Sequence, residues 1–123
     1  MTETSPIDLS TLVRLLRLQV RSGADRLDRP VRGGYVGDLL SDVMGNSREG
    51  DLWITRQVHP NIVAVASLKD LAAIVLDNGS EPAPETLTKA AAEGIPVLLA
   101  EESAFAVAGK VYALIAGAVP TAT

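Results

Sequence analysis

The chain has 123 residues, of which 47% are apolar and 21% charged, with a formal net charge of −4 and no cysteine. That is the make-up of one globular domain. The acidic balance argues against nucleic acid or an anionic membrane as partner, and the lack of cysteine excludes disulfides, thiolate metal centres and cysteine nucleophiles. Only four aromatics are present, one Trp, two Tyr and one Phe. The core must therefore be built from Ala, Val, Leu and Ile, which suits helices packed closely on a parallel sheet. No apolar run approaches the roughly 18 residues of a membrane span. The polar, acidic start Met1–Asp8 is unlike a secretory leader, so the cytoplasm is the expected compartment.

Residues 1–7 and 118–123 are expected to be loose. Asp8 or Ser10 can cap a helix whose apolar positions Leu9, Leu12, Val13 and Leu16 share one face. Leu18 and Val20 alternate with polar neighbours, which predicts a short strand at Gln19-Val20, and residues 22–30 read as a loop. In the next strand, Gly33-Gly34 marks a bulge or a close backbone approach. Asp38 is then placed to cap a short helix carrying Leu39, Leu40, Val43 and Met44, stopped at Gly45-Asn46.

The centre of the chain is a strand–helix–strand unit over residues 50–76. Leu52-Trp53-Ile54 reads as a buried strand, and so does the run from Ala72 to Leu76, closed by the breaker Asp77-Asn78-Gly79. Between them Ile62–Ala66 fits helix or strand by periodicity. Helix is preferred, because Pro60 suits a first helical turn and Ser67–Asp70 is too short for a crossover between parallel strands. Pro84 starts a further helix ending at Glu93-Gly94. Ile95–Leu99 is a fourth strand, and Ser103 caps a last helix whose stripe Ala104, Ala108, Val111, Tyr112 and Ile115 should dock on the sheet. This alternation predicts a single α/β domain with a mostly parallel or mixed sheet flanked by helices.

The segment from Ile62 to Tyr112, with its long hydrophobic pattern around Gly94-Ile95-Pro96-Val97-Leu98, resembles the DRTGG domain. The upstream stretches Gly33–Ser41 and His59–Ala66 are similar to the small stand-alone, HPr-kinase-like members of that family. The resemblance spans roughly residues 9–116. It implies a fold like the N-terminal domains of HPr kinase and of the Mur ligase F enzyme. It also implies a regulatory or assembly role, often dimeric, beside nucleotide-sensing CBS domains or metabolic enzymes. Asp28-Arg29-Pro30 and Gly33-Gly34 echo the letters of the name-giving motif at a different spacing. Asp77-Asn78-Gly79 stands where larger members carry a Thr-Gly-Gly turn.

Kinase chemistry is tested directly by the sequence. Phosphoryl transfer of the HPr-kinase kind needs G-x-x-x-x-G-K-[ST]; Lys69 and Lys89 follow no Gly-rich loop, and Gly109-Lys110-Val111 lacks the first glycine and the hydroxyl. One histidine without cysteine suggests no metal site and no cofactor. No G-x-S-x-G elbow accompanies Ser41 or Ser67.

His59, at the strand-to-helix turn, sits where open α/β sheets bind ligands, beside the N–H groups of a helix start. Thr55, Arg56 and Asn61 add donors, while Gly33, Gly34, Asp38 and Asn78 are candidates to share the same crevice. The alternative is that His59 and Asn61 only close the turn through side chain–backbone hydrogen bonds. The expected function is a non-catalytic regulatory module that homodimerises and takes a small anionic ligand, such as a nucleotide, or a metabolic enzyme as partner. Two alternatives stand beside it: a small enzyme or accessory subunit using His59, and a module for protein interaction alone. Trp53, in mid-strand, reads as core, with an interface anchor as the alternative; together with Tyr35 and Ile62–Ala66 it makes more apolar surface than one small sheet usually hides, so a two-fold dimer is expected.

Overall fold

The structure, a computed structural model, describes residues 6–117. In chain order the elements are β1 (Ile7–Asp8), α1 (Leu9–Leu16), β2 (Gln19–Ser22), β3 (Pro30–Val31), β4 (Gly33–Val36) and α2 (Leu40–Asn46). They continue with β5 (Asp51–Thr55), α3 (Asn61–Leu68), β6 (Ala73–Leu76), α4 (Pro84–Glu93), β7 (Val97–Leu99) and α5 (Ala104–Ala116). The expected strand–helix–strand unit is β5-α3-β6, and Ile62–Ala66 is helix. The terminal segments expected to be loose lie outside the described residues, except for Pro6 and for Ile7, which pairs with Val31.

The main sheet has five strands in the order β2-β7-β6-β5-β4. β4, β5, β6 and β7 are mutually parallel, and β2 runs antiparallel along β7. A small antiparallel pair, β1 with β3, lies beside it. The four parallel strands follow one another in chain order without reversal. Right-handed crossovers then put every connecting helix on one face, and the buried side chains show this division. Trp53, Ile74, Leu76, Val97 and Leu99 pack with Val43 of α2, Ile62, Val63 and Ala66 of α3 and Ala90 of α4. Leu52, Ile54, Ala73, Val75 and Leu98 pack on the other face with Leu9, Leu12 and Leu16 of α1 and Val107 and Val111 of α5.

Several expectations are corrected by packing. Gly33-Gly34 forms no bulge: both residues pair in register with Asp51 and Leu52. The close approach is real, since a Cβ on Gly33 would lie 2.8 Å from Asp51 Oδ1. Asp38 does not cap α2, whose N-cap is Leu39. The docked stripe of α5 is Ala104, Val107, Ala108, Val111, Leu114 and Ile115, whereas Tyr112 is 73% exposed. Trp53 and four of the five residues of Ile62–Ala66 are buried inside this chain. They are core rather than surface, so they offer nothing to a partner.

Candidate functional site

Parallel strands end together, so β4, β5, β6 and β7 deliver their following loops to one edge of the sheet. Three of those loops are tied to one another. Beyond β4, the Asp38 carboxylate accepts a hydrogen bond from the Thr55 hydroxyl (2.7 Å) and one from the Arg56 backbone N–H (2.8 Å), both through Oδ1. The Gln57 side-chain amide donates back to the Asp38 carbonyl at 3.0 Å, and Gln57 N–H donates to Thr55 Oγ1 at 3.2 Å. Hydrogen bonds from Arg56 and then Thr55 stabilise the ionised carboxylate and hold the Asp38 pKa below its ordinary value. Beyond β6, Asp77 is only 3% exposed and accepts from Arg56 Nε at 3.3 Å, while the Arg56 side chain stays 59% exposed. Arg56 thereby bridges the ends of β5 and β6.

The turn from β5 into α3 is held mainly by backbone. Ile62 N–H donates to the His59 carbonyl (3.2 Å) and Val63 N–H to the Pro60 carbonyl (3.0 Å). The Val58 carbonyl accepts from Ala83 N–H at 3.1 Å and from the buried Thr86 hydroxyl at 2.6 Å. Neither His59 nor Asn61 closes the turn with its side chain: both are exposed, and no side-chain cap is formed on α3. Pro60 has helical dihedrals, φ −60° and ψ −22°, as a first-turn proline should. Two of the first amide donors of α3 are thus already used within the turn, and the exposed His59 ring stands beside them.

The structure therefore brings Thr55, Asp38, Arg56, His59, Asn61 and Asn78 to one edge. Asn78 reaches it in the left-handed turn after β6 (φ 53°), a conformation asparagine tolerates, with its N–H on the Glu102 carbonyl at 2.9 Å. Gly33 and Gly34 are not there. They begin β4, beside Asp51 and Leu52, at the opposite edge. Gln57 and Asp77 are the members that the sequence did not single out. A carboxylate directly after an apolar strand was the available signal for Asp77.

Cavities lie elsewhere. One of about 150 Å³ at the opposite edge is lined by Arg29, Arg32, Glu49 and Asp70. There Arg29 Nη1 donates to the Leu71 and Ala72 carbonyls at 3.3 and 3.0 Å, clamping the entry to β6. A groove between α1 and α5 opens into hollows of about 320 and 470 Å³, the second bounded by Arg17, Glu101, Glu102 and Lys110. His59 lines none of these three. Among the described residues no cluster of His, Asp and Glu could hold a metal ion, and no helix is long and apolar enough to cross a membrane.

The family model for the DRTGG domain matches residues 11–114. The chain belongs to the DRTGG domain family. Among solved structures, this DRTGG chain is similar to the CBS and DRTGG domains of the regulatory region of Clostridium perfringens pyrophosphatase, complexed with the activator diadenosine tetraphosphate. The TM-score is 0.68 at 17% identity, over 83% of this chain and 44% of the other, so the likeness is one of fold. The chain spans less than half the length of that regulatory region. No curated protein matches the sequence significantly.

Proposed function

We propose that this DRTGG chain is a non-catalytic regulatory module that works as a homodimer and binds a nucleotide at the carboxyl edge of its parallel strands. The observation that carries this reading is the match in fold to a regulatory region complexed with a dinucleotide activator. That region also contains CBS domains, so the ligand class comes to this chain as an inference from the shared domain. The edge suits a polyphosphate. Arg56 spends only its Nε on Asp77, which leaves the rest of a planar donor fork on a largely exposed side chain for bidentate contact. His59 and Asn61 flank it at the start of α3, where the helix dipole favours an anion. Asp38 and Thr55 act behind them by holding the Arg56 backbone in place.

The enzyme alternative calls for a carboxylate beside His59. Among the described residues no such ion pair is formed, and the sequence carries no phosphate-binding loop, which supports the regulatory reading. A module for protein interaction alone is favoured by one observation, the exposed Phe105, Tyr112, Leu39 and Leu68. Calorimetric titration of diadenosine tetraphosphate, ATP and AMP into the chain and into Arg56→Ala tests the proposal. Saturable binding of at least one nucleotide, weakened about tenfold or more by Arg56→Ala, is expected; loss of a charge-assisted phosphate contact is of that order. Binding of none of them would overturn it, as would binding indifferent to Arg56.

A further inference from the structure

Helix α5 is apolar nearly all round, with Lys110 as its one charged residue. Such a helix is normally covered on every side, yet only one side of this one is. Its inner stripe meets the sheet, and Lys110, Ala113 and Leu114 line the groove shared with Leu15 and Leu16 of α1. The remaining flank carries Phe105, Gly109, Tyr112 and Ala116, spaced i, i+4, i+7 and i+11 and therefore in one line. Phe105 is 90% exposed and Tyr112 73%. Between them, Gly109 would place an added Cβ in open space. A glycine inside a helix weakens it, and nothing among the described residues approaches closely enough to require one there.

That flank lies beside a second unpartnered feature. α5 crosses over β4 and β5, and α1 occupies its other side, so the aromatic flank faces the open edge of β4. In the ladder Gly37 N–H donates to the Ile54 carbonyl, in register with the Tyr35–Trp53 and Val36–Ile54 pairs. By alternation Tyr35 also addresses β5, while the N–H and C=O groups of Gly34 and Val36 face outward. The edge residues Gly33-Gly34-Tyr35-Val36 include no lysine, proline or bulge of the kind that usually blocks such an edge. Val36, half-exposed, shares the sheet face of α5.

We infer that this composite surface receives a second copy of the same chain, with the two β4 strands paired antiparallel about a two-fold axis. The inference rests on the homodimer proposed above and names its interface. One axis satisfies both features. An antiparallel β4 pair continues the sheet to ten strands, and the same rotation sets the two α5 helices side by side. With the axis near Gly109, Phe105 of one helix meets Tyr112 of the other, and the glycine admits close backbone approach. Two largely exposed aromatics offer on the order of 300 Å² of the roughly 800 Å² per partner of a standard interface. Val36, Ala116 and the four-residue strand edge extend it. The α5 flank carries no carboxylate, so a chain of net charge −4 loses no ionised acid when that flank is buried.

The test uses the full chain at micromolar and higher concentrations by sedimentation equilibrium. Wild type is expected to be a dimer, and Phe105→Glu and Val36→Lys, both at exposed positions, to be folded monomers by circular dichroism. Because the chain has no cysteine, Gly109→Cys supplies an independent readout. Under mild oxidation it should form a disulfide-linked dimer many times faster than Ala91→Cys on the exposed side of α4. A wild-type dimer that Phe105→Glu and Val36→Lys leave intact, with Gly109→Cys linking no faster than the control, overturns this interface while the homodimer stands. A wild-type monomer at every concentration overturns both, and leaves the surface to a different protein.

Discussion

Removing the Asp38 carboxylate should unlatch the candidate site. Its Oδ1 holds two donors, and their environments differ. The Thr55 hydroxyl belongs to a residue only 2% exposed, while the Arg56 N–H lies on an exposed one. In Asp38→Ala, water can replace the acceptor at Arg56 but hardly at Thr55. One buried donor left unsatisfied costs about 1–3 kcal/mol, so about 2 kcal/mol is expected from urea unfolding at neutral pH with an unchanged slope. Asp38→Asn keeps an acceptor oxygen and should lose half of that or less. Adding Thr55→Val to Asp38→Ala removes the stranded donor, so the double variant should be less destabilised than the two single changes summed. The pH dependence follows from the sign of the shift. The folded-state pKa of Asp38 lies below its unfolded value. Its stabilisation is therefore complete above the unfolded value, about 4, and is lost as pH falls through the folded one. The gap between wild type and Asp38→Ala should narrow under acid. A variant as stable as wild type at neutral pH, or a gap constant down to pH of about 3, would refute the reasoning.

Other outcomes follow from the same packing. Gly33→Ala should destabilise by about 1–2 kcal/mol in thermal or urea unfolding, because Asp51, whose Oδ1 the new methyl would meet, is held by the Arg48 N–H at 2.8 Å. Trp53→Phe should cost about 2–3 kcal/mol, since it thins a fully buried position and strands the Gly37 carbonyl that Trp53 Nε1 now reaches at 2.9 Å. Arg29→Ala should cost about 1–2 kcal/mol by freeing the Leu71 and Ala72 carbonyls, and hydrogen exchange should quicken at the start of β6 rather than at its end. Without a phosphate-binding loop the chain should show no ATP hydrolysis above a buffer blank, and Lys110→Ala should leave that unchanged.

The sheet and most of its helices were legible because each depends on local spacing. Leu52-Trp53-Ile54, Pro60 and the Gly94 stop all act within a few residues, and the structure places them as the pattern demands. α5 was harder to orient. A helix apolar on two sides does not reveal which side docks, and Tyr112 was assigned to the wrong one. Asp38 was misread for a different reason. Its partners Thr55 and Arg56 lie 17 and 18 residues away, and no local pattern announces a contact made by strands aligning. Gly33 and Gly34 were grouped with His59 because a glycine pair marks close approach. It does not say which end of a strand will hold it.

The most direct measurement is a backbone amide chemical-shift titration of the isotopically labelled chain with diadenosine tetraphosphate. The account predicts saturable shifts at Arg56–Val63, Asp38 and Asn78, with little change at Arg29, Arg32 and Gly50 on the opposite edge. Shifts centred on that opposite edge or on the groove between α1 and α5, or no saturable shift at all, would contradict it.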